Sequence, residues 1–105
     1  MIEKTQAATA MDALGNEVRL DIYRKLVRAG RSGLAIGEIQ SRLGGVPRST
    51  LAHHLQKLVL AGLVSQEKEG ASVVSRANYD LMEGLVHYLT AECCVDDCDI
   101  ADTAA

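Results

Sequence analysis

Residues 47–64, P-R-S-T-L-A-H-H-L-Q-K-L-V-L-A-G-L-V, constrain the fold more than any other stretch. Leu51, Leu55 and Leu58 recur at i, i+4 and i+7, the spacing of one buried helix face. Pro47 stands where a helix start tolerates proline, with Ser49 and Thr50 close by as candidate caps, and Gly62 follows the last periodic residue as a stop. At about 100° per residue, Ser49, His53, Gln56 and Lys57 project opposite the leucines, flanked by Arg48, Thr50 and His54. This outer face holds short polar groups, two imidazoles and cations, and no carboxylate. Such a face suits hydrogen bonds to base edges and charge contacts to phosphates in a major groove. An ordinary solvated helix face would look similar taken alone, so the neighbouring segments decide. Leu60 also falls on the polar side, and nothing in the sequence accounts for it.

Those neighbours favour a helix-turn-helix. Residues 5–14 are alanine-rich and helix-favouring, with Met11 and Leu14 as an apolar edge, and Gly15-Asn16 ends them. Val18, Ile22 and Leu26 mark a helix over 17–28, and residues 29–33 form a glycine-rich loop. Leu34, Ile36, Ile39 and Leu43 then mark a short helix over about 36–43, closed by Gly44-Gly45. A short helix, a tight glycine turn and a second helix with the polar face make the motif. Past Gly62 the period changes to two strand-like runs, 63–67 and 72–76, around Lys68-Glu69-Gly70-Ala71, which reads as a β-hairpin wing. The wing offers Lys68 and Arg76 beside Glu67 and Glu69, so its DNA contribution is expected to be weak. Leu81, Leu85, Tyr88 and Leu89 restore helical spacing, and this terminal stripe, with Met11, is assigned to a homodimer interface, the alternative being that it closes the core of its own chain. The fold class is mainly α with a small β-hairpin, a winged helix-turn-helix dimerised through its terminal helices.

Size and charge are compatible with that reading. With 105 residues and 48% hydrophobic content, the chain makes one domain over 1–98, followed by an acidic tail over 99–105 expected to be disordered. The net charge of −3 is unevenly distributed. Arg19, Arg24, Lys25, Arg28, Arg31, Arg42, Arg48 and Lys57 face only Glu17, Asp21 and Glu38 between positions 17 and 57, whereas no Lys or Arg follows Arg76. DNA affinity follows the local basic face rather than the sum. Without Trp or Phe, base-stacking platforms for single strands are not expected. No apolar run approaches a membrane span and no signal peptide is evident, so a cytoplasmic protein without membrane partners is expected. An enzyme is not expected: Ser49 beside His53 and His54 has neither a glycine elbow nor a partnered acid.

Residues 12–26 (D-A-L-G-N-E-V-R-L-D-I-Y-R-K-L), 49–64 and 67–70 (E-K-E-G) resemble the ArsR/SmtB family of winged-helix repressors, over nearly all of 10–92. The most specific pieces are Arg19-Leu20 after A-L-G-N, and H-L-x-x-L-x-x-A-G-L-V from His54 to Val64. The resemblance implies a homodimer on an operator palindrome, released when a metal or metalloid binds, with Ser49, Thr50, His53 and Lys57 facing the DNA. It also implies where sensor sites can lie. A cysteine pair before the recognition helix would fall within 34–39, which carries no cysteine, and Asp80 and His87 lack partners for the terminal-helix zinc site.

What remains is E-C-C-V-D-D-C at 92–98. Exposed thiols oxidise and crosslink, so three within six residues ask for a reason. Three sulfurs without a histidine suit a pyramidal three-coordinate centre, and the cluster resembles the arsenite-responsive branch of the family. Cys93, Cys94 and Cys98 are therefore the expected As(III) or Sb(III) site, with the metalloid as inducer and no permanent cofactor. Adjacent helical residues point about 100° apart, so ligation by Cys93 and Cys94 together would require the helix end to unwind. A thiol redox or persulfide sensor, or a Cd/Pb/Zn sensor using a nearby aspartate, stays open. Asp96, Asp97 and Asp99 are expected to raise the thiol pKa values, which disfavours a fast redox switch.

Overall fold

Asn16 shows how local chemistry sets the helix ends, because its side chain accepts hydrogen bonds from the Val18 and Arg19 amides at 3.0 and 3.1 Å. The computed structural model describes residues 1–97, and among them five α-helices, a 3-10 turn at Gly30–Ser32 within the expected loop, and a three-stranded antiparallel sheet. Helix α1 is Lys4–Leu14, α2 Glu17–Ala29, α3 Ile36–Leu43, α4 Arg48–Leu60 and α5 Tyr79–Thr90. Strands β1 (Leu34–Ala35), β2 (Val64–Glu69) and β3 (Ser72–Ala77) pair in the order β1-β3-β2. The winged helix-turn-helix is thus present, with α3 and α4 as its two helices and β2-β3 as its wing.

Two features differ from the sequence expectation. Strand β1 was not anticipated: two residues are too few to show a period, and its identity comes from pairing Leu34 with Ser75 and Ala35 with Val74. The wing is also longer than its apolar pattern suggests. Lys68 and Glu69 sit within β2 opposite Val73 and Ser72, and the turn shrinks to Gly70-Ala71, with Gly70 at φ +64°.

The core explains the architecture. Ile22 and Leu26 of α2, Ile39 of α3, Leu51 and Leu58 of α4 and Leu63 are wholly buried together. Each such side chain contributes about 1.5–3 kcal/mol by leaving water. Ala7, Ala10 and Ala13 form the buried stripe of α1, small enough for that helix to lie close to the rest. Ile2 reaches α5 at Gly84, where a Cβ would sit 3.0 Å from Ile2 Cγ2. Asn78 caps α5 by accepting from the Leu81 amide and donates to the Gly62 carbonyl, while the Tyr79 hydroxyl donates to the Val27 carbonyl at 3.0 Å. Helix α5 is therefore fastened to the ends of both α4 and α2.

Two residues of the expected interface stripe lie in the core of their own chain. Leu81 and Leu85 are 6% and 4% exposed, buried against the core of their own chain, so they have almost no area left to give a second subunit. Apolar surface remains at Met11 on α1 and at Val86, Tyr88 and Leu89 on α5.

Gly33 lies at φ +65°, and a Cβ there would meet the Ser75 carbonyl oxygen at 2.6 Å. Both the backbone conformation and the contact with β3 exclude a side chain. Gly33→Ala is expected to lower stability by about 2–4 kcal/mol in urea denaturation, through strain and overpacking at the β1–β3 seam.

Candidate nucleic-acid interface and thiol pair

Burial of Leu51, Leu55 and Leu58 turns the opposite side of α4 to solvent. Arg48, Ser49, Thr50, His53, Gln56 and Lys57 are all exposed along it, and the helix contains no acidic residue. Pro47 occupies the N-cap position, and no side chain caps the helix; Ser49 and Thr50, the expected caps, keep their hydroxyls on the exposed first turn instead. Gly62 ends the segment at φ +82°. Leu60 is 75% exposed and, with Thr9, Asp12, Ala13, Arg19, Lys57 and Ala61, lines a cavity of about 190 Å³ between α1 and α4.

His54 stands apart from that row. It is half-buried, and Arg19 Nη1 donates to its Nδ1 at 3.2 Å, while Arg19 Nε donates to the Ala13 carbonyl at 2.5 Å. Burial holds the His54 pKa below the ordinary histidine value, assisted by the charges of Arg19, His53 and Lys57. In the sequence Arg19 shows only as one of the cations between positions 17 and 57 and as part of the family resemblance. The missed signal is its position in the first turn of α2, directly after the Asn16 cap, where a long side chain reaches back over the end of α1.

On the wing, the two glutamates are drawn away from the tip. Arg76 pairs with Glu69 and, at 3.8 Å, with Glu67, and its Nε donates to the Arg31 carbonyl. Arg76 is thereby committed to bracing the hairpin. Lys68 is exposed and, among the described residues, has no ion-pair partner.

Helix α5 ends at Thr90, and residues 91–96 follow as consecutive turns closed by hydrogen bonds from Cys93 N to Thr90 O, Val95 N to Glu92 O and Asp97 N to Cys94 O. Cys94 adopts φ +65°, unusual for a residue with a side chain. The result is a Cys93–Cys94 sulfur contact of 2.9 Å between unbonded thiols. The anticipated obstacle, two cysteines splayed on a helix, is absent because the helix has already ended. Cys94 has a raised pKa caused first by its hydrogen bond with Cys93 and then by burial. Cys98 and the tail over 99–105 lie outside the described residues. Among the described residues no three His, Cys, Asp or Glu side chains converge as a metal site.

A leucine-anchored helix with an exposed basic-polar row, followed directly by a hairpin wing, defines a winged helix-turn-helix regulator. Residues 14–67 match the model of a helix-turn-helix domain. An ArsR-like transcriptional regulator from Rhodococcus sp. is similar over 94% of this chain and 90% of its own, at 26% identity and a TM-score of 0.76. A homodimeric winged helix-turn-helix DNA-binding domain from Mycobacterium bovis, a candidate ArsR-family regulator, is 30% identical over 84% of this chain and 81% of its own, with a TM-score of 0.67. The proposed arsenical resistance operon repressor ArsR2 of Halobacterium salinarum is 31% identical over 61 residues, which are 58% of this chain and span 50% of that protein's length. The chain belongs to the ArsR family of winged helix-turn-helix transcriptional regulators. Among the described residues no helix is long and apolar enough to cross a membrane.

The depressed His54 pKa fixes the sign of a pH effect. The unfolded chain takes the proton first, so stability is unaffected well above the ordinary histidine value, falls as pH drops through it, and stays reduced below the folded-state value. Urea midpoints are expected to fall between about pH 7.5 and about pH 5.5, and His54→Gln is expected to shrink that difference.

Proposed function

We propose that this protein is a homodimeric transcriptional repressor that grips operator duplex through α4 and the wing and lets go when trivalent arsenic, or antimony, binds its cysteines. The DNA contacts are assigned to Arg48, Ser49, Thr50, His53, Gln56 and Lys57, with Lys68 touching backbone from the wing, while His54, also expected on that face, lies half-buried against Arg19. Side chains of this type read base edges with hydroxyl, amide and imidazole groups and neutralise phosphates with cations. The dimer uses exposed Met11, Tyr88 and Leu89, joined by Val86. Two subunits must hold their α4 helices about 34 Å apart to enter successive major grooves, so a small change of dimer pose loosens both half-sites together.

The observation that carries the sensing role is the sulfur contact of 2.9 Å between Cys93 and Cys94, directly after the last turn of α5. Two soft donors already side by side lower the ordering needed to hold a soft trivalent ion, and Cys98, four residues on, is the third ligand of this proposal. Each thiol gives its proton to a departing hydroxide, so As(OH)3 and three thiols yield the trithiolate and three waters with no net release of protons. Pull on the segment after Thr90 is transmitted to α5, which is packed against its own core by Leu81 and Leu85 and carries the dimer residues on its other side.

Two results are expected. In fluorescence anisotropy, Lys57→Ala weakens duplex binding across sequences and lowers the salt slope by about one, the signature of a lost phosphate contact. Arsenite releases wild type from its duplex, whereas Cys93→Ser stays bound and unresponsive; loss of DNA binding in that variant would make the cysteines structural. Release by cadmium or by oxidation, with arsenite inert, would move the sensor to the divalent-metal or thiol-redox class.

A further inference from the structure

One contact ties three helices together at the back of the recognition helix. Arg19, in the first turn of α2, donates from Nε to the Ala13 carbonyl at the end of α1 and from Nη1 to His54 Nδ1 at the middle of α4. The last carbonyls of a helix have no partner within it, so one guanidinium both closes α1 and reaches the DNA-reading helix. A guanidinium only donates, so His54 Nδ1 is the acceptor and carries no hydrogen; the ring proton is on Nε2. The contact therefore requires neutral His54 in a single tautomer.

Its consequence for α4 is rotational. Leu51, Leu55 and Leu58 anchor the helix by burial, which tolerates small rotations, whereas a hydrogen bond at the edge of the buried stripe does not. A helix with side chains is about 5–6 Å in radius, so a turn of about 10° moves a side-chain tip by about 1 Å. Hydrogen bonds to base edges lose their geometry over a smaller distance. We propose that Arg19, through His54, is the positioning residue of the recognition helix: it sets the rotation of α4, and the chain loses its preference for its own operator when His54 takes a proton. This rests on the reading of α4 as the DNA helix.

The charges around the imidazole agree in direction. Arg19 comes from α2, and His53 and Lys57 from α4 itself, and all three oppose a second ring proton. On the α1 side, Asp12 lines the neighbouring cavity with Arg19 and Lys57. A proton added at Nδ1 would point at the Arg19 guanidinium and end the contact. The added charge would at the same time favour any phosphate backbone, so acid lowers the ratio of specific to non-specific binding rather than binding as such.

The test has two arms. In free protein, nitrogen-15 NMR of the imidazoles is expected to show His54 as the Nε2–H tautomer, and Arg19→Lys, which keeps the charge but cannot span both acceptors, is expected to mix the tautomers. Anisotropy is then read on a labelled duplex selected by wild type from a randomised pool and on an unrelated duplex. Arg19→Lys is expected to lose about tenfold in affinity for the selected duplex and little for the unrelated one. Wild type should show a specificity ratio that falls with acid. His54→Gln, whose side-chain oxygen can accept from Arg19 in place of Nδ1, should retain the ratio and lose its pH dependence. A wild-type His54 of the other tautomer, or Arg19→Lys with unchanged specificity, or weakened equally on both duplexes, would overturn the positioning role while leaving the DNA role standing. Wild type that binds no duplex would overturn the DNA reading and this inference with it, even where the NMR arm finds the contact.

Discussion

Burial of three leucines on α4 is the constraint on which the rest depends. At about 2 kcal/mol each, Leu51, Leu55 and Leu58 contribute on the scale of a small domain's whole stability, so no competing orientation of this helix is accessible. Once they point inward, Arg48, Ser49, Thr50, His53, Gln56 and Lys57 must point outward, because the helical period leaves them no other direction. The functional face is thus a by-product of the core. If this face reads base edges as proposed, its specificity depends on finer control than burial supplies, and a hydrogen bond at the margin of the leucine stripe then matters more than its own energy suggests.

Charge is handled by separation. The chain is acidic overall, with a net charge of −3, yet α4 carries no carboxylate, and the acids of the wing are bound to Arg76. The remaining wing cation, Lys68, is left exposed. At the opposite end of the sequence, Asp96 and Asp97 accompany the thiol pair. An acidic protein can in this way present a surface suited to a polyanion, since the field at the duplex is set within about a Debye length.

Most of the fold was legible from periodicity and punctuation. The helices α2 to α5 and the hairpin follow from apolar spacing, and α1 from its alanine-rich composition, bounded by Gly15-Asn16, Gly44-Gly45 and Gly62. What periodicity could not supply was tertiary. Strand β1 is two residues long and exists only by pairing with β3. Leu81 and Leu85 carry the same helical spacing as Tyr88 and Leu89, and a stripe wide enough to serve two surfaces does not say which residues serve which. The Arg19–His54 contact joins positions 35 apart in sequence, so no local pattern announces it. The thiols were legible as a cluster, but not as a pair in contact, because the end of α5 at Thr90 and the left-handed Cys94 decide their approach.

On the proposed reading, the outward row of α4, together with the wing, is where this chain meets duplex DNA. Amide chemical-shift mapping during titration with the selected duplex tests it most directly. Perturbations concentrated at residues 48–57 and at Lys68, strongest at low salt, are expected. Perturbations centred instead on Val86, Tyr88 and Leu89, with α4 unmoved, would contradict it.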